Sequence, residues 1–327
     1  MKSKISELTL NTKAVQRHGV GLVRPECVLA DPDGGLWISD ARGGISHLDP
    51  DGQQRFIAQS MVGKAIENSM PNGLAMDVQG NLVVANMGLQ RFEKMTRDGE
   101  VEVLFDRVDG EPIGLANFVL MDRNGLIWFT VSSRKPDFMS GFRHDVADGY
   151  IGVYDGETVR IVADNLAFPN EIRFDASEQF LYVAETTGKR IRRCKRLAEN
   201  QLGAPENFGP ENLGRGFPDG IAFDVEGNLW LAMVVAEKIV VILPDQSVAT
   251  VLDAGHQMAI DEVENAFVDG SLERSQMAAA KGDVAPLTSS LAFGGADLKT
   301  LFVGNLAGDS IASISVPVPG LPMSHWR

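Results

Sequence analysis

The stretch PDGIAFDVEGNLWLA, from Pro218 to Ala232, shows the pattern that decides the fold. A short apolar run ends at Phe223, a polar turn containing Gly227 follows, and a second apolar run starts at Leu229. Two such runs around a glycine-containing turn are typical of a β-hairpin.

Five more copies of this pattern occur along the chain. They are PECVLADPDGGLWIS from Pro25, PNGLAMDVQGNLVVA from Pro71, ANFVLMDRNGLIWFT from Ala116, PNEIRFDASEQFLYVA from Pro169 and TSSLAFGGADLKTLFVG from Thr288. The steps between copies, counted at the second residue of each, are 46, 45, 53, 49 and 70 residues. A repeat of this length with two β-runs per copy predicts one propeller blade per copy.

The predicted fold is therefore all-β, a six-bladed β-propeller with four-stranded blades around a central channel. We expect residues 1–327 to form a single domain. A propeller must join its last blade to its first or leave open sheet edges. Residues 1–24 precede the first copy, and we expect them to supply the closing strand, at Ile5 to Leu10.

Two insertions interrupt the regular spacing. Residues 132–148 form a long loop in blade three, and residues 254–285 precede blade six. In the second insertion, 261–265 and 276–281 are predicted to be helical. Long insertions on a repeat scaffold often build binding surfaces.

Composition excludes several classes of protein. The net charge of −14 argues against nucleic-acid binding, which requires a basic face. No apolar run approaches the ~20 residues that cross a bilayer, and no secretory signal is visible. We expect a soluble, cytoplasmic protein without a membrane partner, and two reduced cysteines, Cys27 and Cys194.

The second residue of each copy forms a polar column. Its members are Glu26, Asn72, Asn117, Asn170, Asp219 and Ser289. Equivalent positions of a propeller converge on its axis, so these side chains are predicted to form one ring. All six offer oxygen, which suits a hard cation such as calcium or magnesium. A water-filled polar channel is the alternative that composition alone leaves open.

Two further columns predict structural roles. Trp37, Trp128 and Trp230 share one position in the second strands, where we expect them to pack between blades. An aspartate stands five residues after the polar column in five copies, where we expect it to accept hydrogen bonds from turn backbone.

The chain resembles the senescence marker protein, gluconolactonase and luciferin-regenerating enzyme family over nearly its whole length. The resemblance is carried by Pro25-Glu26, the Asn117 strand, Pro169-Asn170, Phe217-Pro218-Asp219-Gly220 with Gly227-Asn228-Leu229-Trp230, and the stretch from Ser290 to Gly295. It implies a six-bladed propeller with one divalent cation in the channel, calcium before magnesium, manganese or zinc. By position, it implies Glu26, Asn170 and Asp219 as metal ligands, with Asn117 as a ligand or a substrate contact.

The resemblance also implies chemistry, since enzymes of this family mostly hydrolyse lactones and some cleave organophosphates. A bound cation polarises a carbonyl and acidifies water. An adjacent carboxylate accepts the proton, a role that we predict for Asp219. The small-molecule substrate is then a lactone or related ester.

The chain departs from the sugar-lactone members in blade three. Phe118 follows Asn117 where those members carry an acid, and no arginine stands just upstream. We therefore expect a substrate less polar than gluconolactone. The predicted substrate contacts are Asn117, Phe118, Asn72 and Ser289 from the column region, with Arg143 and His144 from the blade-three loop.

Two other functions remain open from the sequence. One is a ligand-binding propeller without catalysis, in which the metal is structural. The other is a strictosidine synthase-like condensation, which ranks lower because those enzymes typically use a channel glutamate and lack a carboxamide-rich ring.

Overall fold

The computed structural model describes residues 4–198 and 200–326, and it forms six antiparallel sheets around one axis. From the innermost to the outermost strand, blade one consists of Val28–Ala30, Leu36–Asp40, Gly44–Leu48 and Gln54–Ala58. Blade two consists of Pro71–Met76, Leu82–Asn86, Arg91–Met95 and Val101–Phe105, and blade three of Ala116–Met121, Ile127–Val131, Gly149–Tyr154 and Val159–Leu166.

The remaining blades follow the same order. Blade four consists of Pro169–Phe174, Phe180–Glu185, Arg190–Ala198 and Glu206–Phe208, with a short extra strand at Gln201–Leu202. Blade five consists of Phe217–Phe223, Leu229–Val234, Lys238–Ile242 and Val248–Asp253, and blade six of Thr288–Gly294, Thr300–Asn305, Ile311–Ser315 and Gln16–His18. The innermost strands of neighbouring blades pack side by side, and those of blades six and one close the ring. The predicted six-bladed propeller is confirmed.

The outermost strand of blade six comes from the N-terminal part of the chain, but not from the residues that the sequence indicated. Gln16–His18 pairs with Ile311–Ser315. Ile5 and Leu10 instead pack into the core of blades five and six, and the Leu10 amide donates to the Val251 carbonyl at 2.7 Å. The apolar residues of this segment therefore cover a blade rather than form a strand.

Three hairpins are closed by an aspartate that bonds both the turn and a buried tryptophan. The Nε1 atoms of Trp37, Trp128 and Trp230 donate to Asp31, Asp122 and Asp224 at 2.6, 3.1 and 2.9 Å. Asp224 also accepts from the backbone amides of Glu226 and Asn228. The predicted turn role is confirmed for the side chains of Asp77, Asp122, Asp175 and Asp224, and the tryptophan bond adds to it in Asp122 and Asp224.

Each of these tryptophans also contacts the next blade, as expected. Trp128 meets Phe174 of blade four at 5.3 Å between ring centroids, and Trp230 meets Phe293 of blade six at 5.7 Å. The Arg97 guanidinium of blade two lies 5.2 Å from the ring of Trp37. Blade-to-blade contact therefore depends on one indole per hairpin in these three blades.

The polar column lies at a β-bulge in five blades. The pairing of the innermost strand with the second strand shifts register between Pro71 and Leu74, and likewise around Asn117, Asn170, Asp219 and Ser289. A bulge re-aims side chains locally. A Cβ on Gly220 would lie only 2.2 Å from the Ser289 carbonyl, so glycine permits the close approach of two innermost strands.

The two insertions fold as helical segments at the channel end where the innermost strands begin. The blade-three insertion contains the short helix α1 at Phe138–Gly141. The second insertion forms α2 at Gln257–Val268 and α3 at Arg274–Ala279, which confirms the predicted helix over 261–265 and over 276–279, two residues short of its predicted end. Two 3₁₀ turns occur at Thr12–Ala14 and Ser324–Trp326, and short hairpins pair Ser60–Met61 with Lys64–Ala65 and Arg107–Val108 with Glu111–Pro112.

The opposite end of the channel is covered by the C-terminal segment. The Leu321 amide donates to the Phe223 carbonyl, and the Ser324 hydroxyl donates to the Met121 carbonyl. The Trp326 indole donates to Ala30. Blades five, three and one are thus tied together at this end.

Within residues 4–198 and 200–326, no helix has the length and apolar character required to span a bilayer.

Asp224→Ala is expected to lower the free energy of unfolding by about 3 kcal/mol, because it leaves buried indole and amide donors without an acceptor. Denaturant unfolding followed by circular dichroism measures the change. Asp175→Ala is the matched control, since Asp175 bonds its turn in blade four but has no tryptophan partner. Equal losses in the two variants would show that the indole bond contributes nothing.

Candidate functional site

Five of the six column side chains line one cavity at the centre of the propeller. They are Glu26, Asn72, Asn117, Asn170 and Asp219, and each is at most 6% exposed. The structure therefore brings together side chains that lie up to 193 residues apart in the sequence (219 − 26).

The amide groups in this cavity are oriented by bonds to the protein. Asn72 Nδ2 donates to the Asn117 carbonyl at 3.0 Å, and Asn170 Nδ2 donates to Thr186 Oγ1 at 3.3 Å. The Oδ1 atoms of Asn72 and Asn170 are left buried without a hydrogen-bond partner, as is Glu26 Oε2. Buried oxygens without partners are rare in folded proteins, and several of them around one cavity indicate a missing ligand.

Repulsion between the buried carboxylates adds to the cost of these unpartnered oxygens. Burial raises the pKa of Glu26 to about 7, Arg24 opposes this increase, and Glu171 adds to it. Burial also raises the pKa of Asp219 well above its usual range, with further increases from Glu26 and Glu171. The site is thus unfavourable for two carboxylates unless a positive charge joins them.

These residues fit a divalent cation with oxygen ligands. Glu26 and Asp219 balance its charge, and the unpartnered carboxamide oxygens of Asn72 and Asn170 match its preference for hard donors. In the part of the chain that the structure describes, no three His, Cys, Asp or Glu side chains form a metal-binding group. A cation in this ring therefore depends on the carboxamides.

Ser289 and Phe118, both predicted to contact substrate, do not line the cavity. The Ser289 hydroxyl donates to the Glu26 carbonyl at 2.7 Å, which links blade six to blade one. Phe118 is buried in the core on the other side of the bulge, where the Arg173 guanidinium lies 4.6 Å from its ring. Phe118 therefore shapes the core beneath the ring rather than a substrate pocket.

Arg143 and His144 also lie outside the cavity lining. Arg143 pairs with Asp145 at 2.9 Å, and its Nη1 donates to the Gly270 carbonyl at 3.4 Å. His144 stands edge-on to Phe267 at 6.1 Å. Both residues join the first insertion to the second instead of facing the ring.

Two charged residues near the ring were missed by the sequence analysis. Arg24 lines the cavity from a left-handed backbone conformation with φ of 49°. Glu171 follows Asn170 in the bulge, is 1% exposed, and accepts from the Ile221 amide at 3.1 Å while pairing with Arg173 at 2.9 Å. The sequence did contain a signal for Glu171. In the other five copies, the residue that follows the polar column is Cys, Gly, Phe or Ser, and only in blade four is it a carboxylate.

Apolar side chains cover the ring. Phe138 and Phe142 of the first insertion, Phe168 just before blade four and Met277 of α3 line the cavity. The rings of Phe142 and Phe168 are 5.2 Å apart, and Phe142 also contacts Phe267 of α2 at 5.9 Å. The cavity thus combines a polar base with an apolar cover that the two insertions build together.

Comparison with known proteins gives a family match over most of the chain. The model of the SMP-30/Gluconolactonase/LRE-like region matches residues 24–260. The adipocyte plasma membrane-associated protein of Danio rerio is 37% identical over 172 residues, which are 50% of this chain and 41% of that protein. The strictosidine synthase-like 13 protein of Arabidopsis thaliana is 32% identical over 161 residues, 47% of this chain and 38% of that protein.

Solved structures share the fold along nearly the whole chain. A gluconolactonase from Xanthomonas campestris has a TM-score of 0.65 at 21% identity, covering 91% of this chain and 88% of that one. The calcium-binding protein regucalcin from Agrobacterium tumefaciens has a TM-score of 0.70 at 16% identity, covering 98% of both chains.

The raised pKa of Glu26 predicts how pH affects the stability of the metal-free protein. Because its folded-state pKa is raised, Glu26 keeps its proton in the folded protein at pH values where the unfolded chain has lost it. The free energy of unfolding therefore falls as pH rises, until Glu26 also ionises in the folded state. The thermal midpoint in EDTA should therefore decline between about pH 4.5 and about pH 7. Glu26→Gln should flatten this decline. Parallel profiles for both proteins would mean that Glu26 is not the titrating group.

Proposed function

We propose a function for this chain from the premise that it belongs to the SMP-30/Gluconolactonase/LRE-like family. The proposed function is hydrolysis of a lactone or related ester with a divalent cation, most readily calcium, in the channel ring. The observation that supports it best is the set of buried, unpartnered oxygens on Glu26, Asn72 and Asn170 beside Asp219.

Glu26, Asn170, Asn117 and Asp219 are the proposed cation ligands, and the unpartnered oxygen of Asn72 makes it a further candidate. When bound there, a divalent cation would polarise the substrate carbonyl and acidify water. Asn117 would meet the substrate or the cation, because it lies in the lining between Asn72 and Asn170 in blade order.

Asp219 is the proposed general base. Its carboxylate lines the cavity beside the other proposed cation ligands, where it can accept a proton from water next to the cation. As water adds to the carbonyl carbon, the Asp219 carboxylate takes the water proton. It then returns the proton to the leaving oxygen as the ring C–O bond breaks, which yields a hydroxy acid.

The apolar cover supports a substrate with an apolar body. Phe138, Phe142, Phe168 and Met277 offer few hydrogen bonds to a polyhydroxylated sugar lactone. They also exclude bulk water, which strengthens electrostatic interactions at the ring. The expected preference for a less polar substrate therefore rests on the insertions, not on Phe118.

Asp219→Asn is expected to reduce lactone turnover by at least ~100-fold, because it removes the base while keeping an oxygen donor. Glu26→Gln is the matched comparison, which should weaken metal affinity first and regain part of its rate in excess metal. Hydrolysis is followed during titration with calcium, magnesium, manganese and zinc. If saturating metal restores Asp219→Asn to nearly the wild-type rate, Asp219 acts only as a ligand.

Aliphatic and aromatic lactones should be hydrolysed with a higher kcat/KM than gluconolactone, because the cover pairs better with apolar substituents. A lactone panel assayed by acid release measures this preference. Met277→Gln, which adds a polar group to the cover, should narrow the difference. A clear preference of the wild-type protein for gluconolactone would contradict the proposed substrate class.

The second candidate is a ligand-binding propeller with a structural cation. The burial of the ring favours this candidate, since its five side chains in the cavity are each at most 6% exposed. Stoichiometric, removable metal without turnover across a broad lactone and ester panel would support this candidate over hydrolysis.

A further inference from the structure

We infer that Arg24 is the anion-binding residue of this cavity, and that the ligand joins a carboxylate to an apolar body. This inference rests on the proposed use of the cavity as a substrate site. Arg24 would provide a positive charge for the substrate, which none of the predicted substrate contacts in the cavity provides.

The backbone directs Arg24 to the cavity. Its φ of 49° is unusual for a residue with a side chain, and such conformations persist where surrounding structure imposes them. The Glu26 amide donates to the Arg24 carbonyl at 2.8 Å, which closes a tight turn immediately before blade one. Arg24 is thereby fixed two residues from the first member of the polar column.

One nitrogen of the Arg24 guanidinium, Nη1, is buried without a hydrogen-bond partner among residues 4–198 and 200–326. Arg173, further along the same channel, contrasts with it, because Arg173 pairs with the Glu171 carboxylate at 2.9 Å. A buried guanidinium nitrogen without an acceptor is costly, so the unfilled donor indicates a place for a ligand oxygen.

The charges around Arg24 specify the sign of that ligand. Glu26 and Asp219 attract Arg24, whereas Arg274 at the start of α3 repels it. If Glu26 and Asp219 bind a cation, their negative charge no longer neutralises Arg24. Arg24 and Arg274 are then two neighbouring positive charges. An anionic group would then join Arg24, and a carboxylate matches the planar fork of a guanidinium.

The rest of the cavity specifies an apolar body. The guanidinium shares the cavity with Phe138, Phe142 and Met277, whose side chains provide contact area without hydrogen-bonding groups. The class that fits both parts is a small aromatic or aliphatic carboxylate, and for hydrolysis a lactone or ester that carries one.

The test uses phenylacetate and phenylacetamide, which have nearly the same shape and differ in charge. Calorimetry with the full chain should show at least about tenfold tighter binding of phenylacetate, because a charge-assisted pair favours the anion. Arg24→Met should lose this preference. Arg160→Met is the control, because Arg160 lies on the outermost strand of blade three and pairs with Asp155. This variant should keep the preference for phenylacetate.

A second arm separates Arg24 from a bound cation, which also attracts carboxylates. The titrations are repeated with saturating calcium and with EDTA. A preference in saturating calcium that disappears in Arg24→Met supports the inference, whether or not the preference persists in EDTA. The inference is overturned if wild-type protein in calcium binds both probes equally, or if the preference survives Arg24→Met in either condition.

A third arm keeps the inference distinct from the proposed hydrolysis. The kcat/KM is compared for 5-oxotetrahydrofuran-2-carboxylate and the corresponding carboxamide. Arg24→Met should lower the value for the carboxylate by about 10- to 100-fold and change that of the carboxamide little. Equal losses on both would overturn a recognition role. If neither lactone is hydrolysed by any variant, the hydrolase proposal fails while the binding comparison still decides the role of Arg24.

Discussion

The cost of burying several polar side chains around one axis is the constraint on which the centre of this protein depends. Closing six innermost strands into a ring places Glu26, Asp219 and three asparagines in a single small cavity. Burial, followed by neighbouring carboxylates, raises the pKa of Glu26 and of Asp219, and the side-chain oxygens of Asn72 and Asn170 lack partners. Blades that pack so closely cannot move apart to relieve this cost, because the tryptophans and bulges fix their spacing. Neutralisation by a bound ion is the relief that the residue types permit.

The scaffold and the site are separated along the channel. Hydrophobic packing and the aspartate–tryptophan pairs stabilise each hairpin against the next blade, away from the ring. The C-terminal segment covers one end by bonding blades one, three and five. The insertions cover the other end with aromatic side chains. Changes at the ring should therefore affect ligand binding and pH response more than the integrity of the blades.

The ring carries charged neighbours that extend its chemistry beyond a simple cation site. Glu171 lies next to Asn170 and is joined to Arg173, so it adds negative potential on the side of the ring away from the cover. Arg24 adds a positive group within the cavity itself. A cavity with a ring of oxygen donors, an unpartnered guanidinium nitrogen and an apolar cover can distinguish ligands by both charge and shape.

The sequence alone determined the number of blades, the turn positions and the polar column, because each depends on a short pattern repeated in the chain. It also located both insertions and the helical stretches of the second, since their composition departs from the repeat. Tertiary structure decided which residues share the cavity. The bulges turn Asn117 toward the ring and place Phe118 in the core, and the insertions use Arg143 and His144 for contacts with each other. Arg24 and Glu171 became visible only in the fold, because a left-handed turn and a bulge have no regular period, and their effect depends on residues that are distant in sequence.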